Sequence, residues 1–151
     1  MPMAAVNGIS LCYESHGERD VPTIVLIRGL GTQLIEWPNA LIDGLVRNGL
    51  RVVVFDNRDA GLSSEMPDAK PGYRVEDMAA DVVGLMDHLD VQRAHIFGIS
   101  MGGMIAQHVA LRHAARVRSL ISVMSSTGNP DLPQPSPGIS PPATNPKSAP
   151  R

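Results

Sequence analysis

The residue best suited to chemistry in this sequence is Ser100, which lies within Gly98-Ile99-Ser100-Met101-Gly102. A serine hydroxyl can attack a carbonyl carbon once a base accepts its proton. The pattern G-x-S-x-G, with an apolar run before it and helical sequence after it, is typical of a nucleophile elbow. Such a turn is so tight that flanking side chains would collide, which explains the two glycines. The N–H of Met101, at the helix start, would stabilise a developing oxyanion.

Short apolar runs alternate with helical patterns along the chain, and these elements must position the serine. We expect strands at 9–13, 23–27, 51–55, 95–97 and 120–124, and helices at 37–48, 75–89 and 101–113. Strands separated by helices predict the α/β class, with a mostly parallel sheet of about five strands and flanking helices. Ser100 would lie at the carboxyl edge, where such sheets bind ligands. The alternative, a glycine-rich turn with an ordinary N-cap serine, fits the same five residues.

Two loops that precede the elbow carry a family resemblance. Residues 27–31 read IRGLG, and residues 56–63 read DNRDAGLS. With the elbow, they resemble the α/β-hydrolase family, whose members often carry D-x-R-G-x-G-x-S in the second loop. Asp59 in place of the usual glycine, with Gly-Leu-Gly and Trp37-Pro38, resembles the branch that contains aclacinomycin methylesterase, a carboxylic-ester hydrolase. The family's second loop is mainly architectural, so the resemblance implies structural roles for Asp56 and Arg58.

The resemblance also implies a second backbone donor for the oxyanion. That donor would be the N–H of Leu30, while Gly29 and Gly31 would let the chain bend toward the elbow. Many family members have His-Gly where this chain has Arg28-Gly29. The difference affects a local hydrogen bond and leaves the backbone donor in place. A plain glycine turn is the alternative interpretation.

A base and an orienting acid for Ser100 are not found in the sequence. The resemblance implies the chain order serine, acid, histidine. After Ser100 the only histidines are His108 and His113, and His108 would lie about 12 Å along the expected helix. The only later acid is Asp131. The three earlier histidines are not suitable bases for Ser100 either; they are His16, His88 and His95.

We therefore expect residues 1–127 to be the N-terminal part of an α/β-hydrolase domain that lacks the triad acid and histidine. A frameshift, an early stop or a split gene would each explain such a truncated chain. Residues 128–151 are rich in proline and almost without large apolar side chains, so we expect an extended or disordered tail. The edge strand at 120–124 would expose unpaired backbone and apolar side chains, which favours marginal stability or self-association.

Composition excludes several classes of partner. The chain is 43% hydrophobic and 19% charged with a formal net charge of -2, so no broad basic field favours nucleic acid or anionic membranes. Cys12 is the only cysteine, and we expect neither a metal site nor a cofactor. The first 20 residues do not fit a signal peptide, and no apolar run approaches the roughly 20 residues of a membrane span. We expect a cytoplasmic protein.

Two functions from different classes follow. The first is hydrolysis of a small-molecule ester or related acyl compound by Ser100. We expect the chain to be inactive alone, because it lacks the base and the acid. The second is a non-catalytic remnant or interaction module that pairs through its edge strand, with itself or with a complementary C-terminal fragment. A weaker third possibility is residual esterase activity from the oxyanion hole alone.

Overall fold

The computed structural model describes residues 1–67, 72–129 and 131. Its strands are β1 (Met3–Val6), β2 (Ile9–His16), β3 (Thr23–Ile27), β4 (Arg51–Phe55), β5 (Ala94–Ile99) and β6 (Val117–Val123). Its α-helices are α1 (Asn39–Arg47), α2 (Val75–His88) and α3 (Met101–Arg112). Short 3-10 helices cover Leu34–Glu36 and Ala114–Arg116.

The six strands form one sheet in the order β1-β2-β4-β3-β5-β6. Strands β4, β3, β5 and β6 are parallel, whereas β1 and β2 pair antiparallel and β2 joins β4 antiparallel. Every residue of β3 and β4 is buried, as expected of strands covered on both faces. The α/β class and the mostly parallel sheet are confirmed.

The sequence prediction of about five strands missed β1. This strand forms a hairpin with β2 through Asn7 and Gly8, which both have positive φ, 48° and 78°. Asn-Gly at this position is the strongest short-range hairpin signal, because both residues tolerate the left-handed region that a tight two-residue turn requires. That dipeptide could have revealed the sixth strand.

Helices cover the two faces of the sheet unequally. On one face α2 and α3 pack against the sheet in a core that includes Phe55, Leu85, Met86, Ile96 and Ile105. On the other face, α1 and Trp37 cover only the middle strands, over a core that includes Leu26, Ile42, Val52 and Val54. The alternation of strand and helix thus buries β3 and β4 on both sides, at the place where the candidate site is built.

Strand β6 lies at the edge of the sheet and pairs only with β5 among the described residues. None of its seven residues is buried, and Leu120 and Ile121 remain 40% and 39% exposed. The expectation that this strand exposes apolar side chains at an edge is confirmed.

The expected boundary at residue 127 stays a prediction, because the structure describes only residues 128, 129 and 131 of the proline-rich segment. Among the described residues, no helix combines the length and the apolar character that a bilayer span requires.

Candidate active site

Ser100 lies at the turn between β5 and α3 in an unusual backbone conformation. Its φ is 57° and its ψ is −124°. Residues other than glycine rarely adopt these backbone angles, which typically cost about 1–3 kcal/mol. The side chain is exposed and makes no capping hydrogen bond, so Ser100 is not an ordinary N-cap serine. Its N–H donates to the carbonyl of Val123 at 3.0 Å, and its carbonyl accepts from Gly103 at 2.9 Å. The backbone on both sides therefore holds the serine in this strained position.

The glycines that flank the serine are required by space. A Cβ at Gly98 would overlap the backbone carbonyl of Gly102 on α3, and a Cβ at Gly102 would overlap the carbonyl of Ile27 at the end of β3. The sequence analysis explained these two glycines by such collisions. It missed Gly103, where a Cβ would come within 2.8 Å of the Ser122 hydroxyl oxygen. The elbow is thus packed backbone against backbone at Gly98 and Gly102, and backbone against serine side chains at Gly103.

The turn that follows β3 lies directly beside Ser100. A Cβ at Gly29 would come 3.2 Å from the Ser100 Cβ and 3.6 Å from its Oγ. Gly31 has φ +70° and open space around it, so its role is conformational. Between them, Leu30 has its side chain 79% exposed. In the described part of the chain, the N–H groups of Leu30 and Met101 have no hydrogen-bond acceptor.

Two buried side chains after β4 hold this turn in place. The Asn57 side-chain amide donates to the Arg28 carbonyl at 3.2 Å, one residue before Gly29. One Asp56 carboxylate oxygen accepts from the N–H of Leu34 at 2.6 Å, and the other accepts from the N–H of Leu62 at 3.0 Å. Asp56 therefore links the turn after β3 to the loop after β4. The sequence analysis gave Asp56 a structural role but found no signal for Asn57.

Arg28 occupies the position where many family members have histidine. Its guanidinium lies 3.1 Å from Glu36 and 4.9 Å from the centre of the Trp37 ring. The second Glu36 oxygen accepts from the N–H of Gln33 at 2.6 Å. These contacts fasten the turn to the 3-10 helix that follows it. Arg28 thus stabilises the turn after β3 through Glu36 and Trp37.

Arg58 forms a buried ion pair with Asp81, a residue of α2. Its Nε and Nη2 donate to the two carboxylate oxygens at 2.8 Å each, and the guanidinium lies 4.8 Å from the Tyr73 ring centre. Burial raises the pKa of Asp81, although hydrogen bonds from Asn7 and Arg58 oppose that shift. Asp81 lies in the second turn of α2. The local sequence pattern could not predict this ion pair, because Arg58 and Asp81 are 23 residues apart.

Tyr73 and Asp59 complete this loop. Burial and a hydrogen bond with Asp59 raise the pKa of Tyr73 to about 12. The Asp59 carboxylate also accepts from the N–H of Met66 at 2.6 Å. Asp59 has φ 62°, in the left-handed region that the usual glycine of the family pattern adopts readily. The loop is therefore architectural, with its charged groups turned toward one another.

No histidine of the described residues lies within reach of Ser100. His16 pairs across the sheet with Val52, which shares a row with Ile24 and His95. That row lies at the amino end of the parallel strands, about 16 Å before Ser100 at roughly 3.3 Å per residue.

The remaining three histidines lie on α3, just after α3, or at the end of α2. His108 is eight residues along α3, about 12 Å at 1.5 Å per residue. His113 follows the end of α3, and His88 at the end of α2 contacts the ring of Tyr13. The described residues thus place no histidine near the Ser100 hydroxyl.

The amino-acid sequence of this chain is similar to those of known proteins. The family model described as alpha/beta hydrolase fold matches residues 22–150. A putative carbamate hydrolase, RutD, from Variovorax paradoxus is 39% identical over 75% of this chain and 41% of its own length. Rhodomycin D methylesterase DnrP from Streptomyces peucetius is 30% identical over 86% of this chain and 44% of its own length.

A solved structure agrees with these sequences. The enol-lactonase from Burkholderia xenovorans LB400 superposes with a TM-score of 0.71 at 42% identity, covering 77% of this chain and 44% of that chain. The chain therefore spans less than half the length of the relatives it matches.

Proposed function

The chain belongs to the α/β-hydrolase fold family, and on that premise we propose that its site serves to hydrolyse a carboxylic ester or related acyl compound, with Ser100 as nucleophile. The reaction would be acyl transfer: the Ser100 oxygen attacks the carbonyl carbon, the alcohol leaves, and water releases the acid from the acyl-enzyme. The N–H groups of Leu30 and Met101 would donate to the oxyanion.

One observation carries this proposal. Ser100 is held at φ 57° with an exposed side chain, between a strand and a helix that only glycines at 98 and 102 allow to approach so closely. An ordinary glycine-rich turn has no need of such strain at a serine. The N–H groups of Leu30 and Met101, which have no acceptor among the described residues, support the same proposal.

The substrate class rests on the relatives. The two curated relatives described above are named for carbamate and methyl-ester hydrolysis, and the solved structure is an enol-lactonase. All three groups present a carbonyl carbon next to an oxygen or nitrogen leaving group. We extend this shared chemistry to Ser100, with a small molecule as substrate.

Activation of Ser100 requires a base and an acid from sequence other than the described residues. We propose that the 151-residue chain is inactive by itself and that a C-terminal segment, like the part of the relatives it does not match, supplies both groups. Without them the hydroxyl keeps its proton and attacks slowly.

A fluorophosphonate that labels activated serines tests this proposal. The experiment compares the chain alone with a fusion of residues 1–127 to the C-terminal half of the enol-lactonase. We expect covalent labelling of the fusion at Ser100, located by mass spectrometry, and little labelling of the chain alone. Ser100→Ala should abolish the label, whereas Ser126→Ala, at another exposed serine, should leave it unchanged. A folded fusion that stays unlabelled would contradict the catalytic role.

The second candidate function is a non-catalytic module that pairs through β6. The exposed side chains of Leu120 and Ile121 on an unpaired edge support it. In that case the folded fusion would remain unlabelled, while the chain alone would sediment as a dimer or as a complex with the complementary fragment.

A further inference from the structure

A cleft of about 560 Å³ opens at the amino end of the sheet, away from Ser100. It is lined by residues from the chain start, from the end of β2, from the turn after β2 and from the C-terminal end of α2, among them Pro2, Glu14, His16, Arg19, Arg51 and Leu89. Arg51 is the first residue of β4 and shares a row of the sheet with Ala94 through Thr23. Ser100 comes six residues after Ala94, which places that row about 20 Å from the serine at roughly 3.3 Å per residue.

Arg51 is buried without a carboxylate partner. It is only 5% exposed, yet it forms no ion pair within residues 1–67, 72–129 and 131. Its Nε donates to the Ser15 hydroxyl at 2.9 Å, and its Nη1 makes a long bond of 3.5 Å to the Leu89 carbonyl. A guanidinium has five N–H donors, so these neutral contacts leave donors and a full positive charge in the cleft. Burying such a charge unpaired is costly.

A second guanidinium adds to this charge. Arg19 lines the same cleft and is exposed. Burial, and after it the positive charge of Arg19, lowers the pKa of Arg51. Glu18 and Asp20, the sequence neighbours of Arg19, do not line the cleft. Glu14 does, but its carboxylate lies 3.3 Å from the Nε2 of His16. The cleft thus holds two arginines against one carboxylate.

We propose that this cleft binds a small oxyanion, a phosphate or carboxylate group, between Arg51 and Arg19. Paired N–H donors of a guanidinium match two oxygens of either group, and the anion would supply the charge that Arg51 lacks. The site is independent of the proposed hydrolase activity because it lies at the opposite end of the sheet.

Titration at constant ionic strength tests this site with the whole chain. Inorganic phosphate and acetate are the probes, and binding is followed by calorimetry and by broadening of the phosphate ³¹P line. We expect saturable binding of at least one probe. Binding of phosphate alone indicates a phosphate group as the natural ligand, and binding of acetate alone indicates a carboxylate.

Variants locate the binding in the cleft. Arg19→Gln, at an exposed position, should raise the Kd about fivefold. Arg51→Lys keeps the charge but loses the planar fork, and should raise the Kd about tenfold or more. Glu14→Gln removes the opposing charge and should lower the Kd. Arg74→Gln, at the other end of α2, is the matched control and should leave it unchanged. The proposal is wrong if neither probe binds, or if Arg19→Gln and Glu14→Gln bind as the parent chain does.

Discussion

Strands β3 and β6 lie on opposite sides of β5, yet their surroundings differ completely. All five residues of β3 are buried, and the turn after it contacts Ser100 through Gly29. No residue of β6 is buried, and Leu120 and Ile121 face solvent. One side of the serine is therefore fixed by packing, whereas the other depends on a strand with a single neighbour.

This difference separates two tasks within the site. The proposed oxyanion donors are backbone N–H groups, and the turn that carries Leu30 is held by strand pairing, by the close approach at Gly29 and by the buried side chains of Asp56 and Asn57. Proton transfer needs a titratable side chain near the hydroxyl, and the described residues offer none. In the proposed function, the β3 side of the site is therefore preorganised, whereas the group for proton transfer is not among the described residues.

The largest expected effect comes from disrupting the closed side. Gly98→Ala places a methyl group against the Gly102 carbonyl, and we expect a loss of roughly 3–4 kcal/mol in the free energy of unfolding. Gly44→Ala, inside α1 with open space around it, is the control and should stabilise by about 0.5–1 kcal/mol. Urea unfolding measures both. Equal stability of the two variants would show that the elbow is not tightly packed.

Asp81→Asn tests the support beneath the loop after β4. The change leaves the buried Arg58 guanidinium without its bidentate partner, and we expect a loss of about 2–3 kcal/mol. Asp87→Asn, at a mostly exposed ion pair with Arg116, is the control, with an expected loss below about 1 kcal/mol. If the two losses were similar, the Arg58–Asp81 pair would not hold the loop.

Ile121→Lys tests the open side. A charge on an exposed edge strand opposes pairing with another chain, so self-association should fall while the free energy of unfolding changes by less than about 0.5 kcal/mol. Sedimentation velocity at several concentrations measures the association. Ser119→Lys on the same strand would separate blocked edge pairing, which both variants share, from the loss of apolar contact, which only the first has.

The smallest effect concerns Tyr73, whose pKa is raised from 10.0 to about 12. The folded chain keeps this proton at pH values where the unfolded chain releases it, so the free energy of unfolding should fall as the pH rises from 10 to about 12. Tyr73→Phe should remove that part of the pH dependence. Unfolding in urea across this range measures it, and an unchanged slope in the variant would assign the loss to other groups.

The sequence predicted those features that local pattern determines. The predicted buried strands 23–27 and 51–55 coincide with β3 and β4. A short continuous run of branched apolar residues is typical of a strand that is covered on both faces. The glycines at 98 and 102 were explained by the collisions that the structure contains. The hairpin of β1 and β2 was missed, although the dipeptide Asn7-Gly8 indicates a hairpin turn.

Contacts between distant residues could not be predicted in the same way. Asn57 holds the Arg28 carbonyl, and Asp81 pairs with Arg58, over separations of 29 and 23 residues. Hydrophobic periodicity does not encode which polar side chains meet once the strands are paired. The same limit applies to Arg51, whose place at the start of a buried strand gave no sign of the cleft beside it.

The hydrogen bond from the Ser100 N–H to the Val123 carbonyl couples the conformation of the edge strand β6 to that of Ser100. When the end of β6 frays, the amide of Ser100 loses its acceptor and the strained serine loses one of its restraints. A strand that docks on β6 suppresses this fraying, and a ligand that holds the serine suppresses it as well. By thermodynamic reciprocity, each must then strengthen the binding of the other by the same factor. The exchange rate of the Ser100 amide with deuterium reports both events.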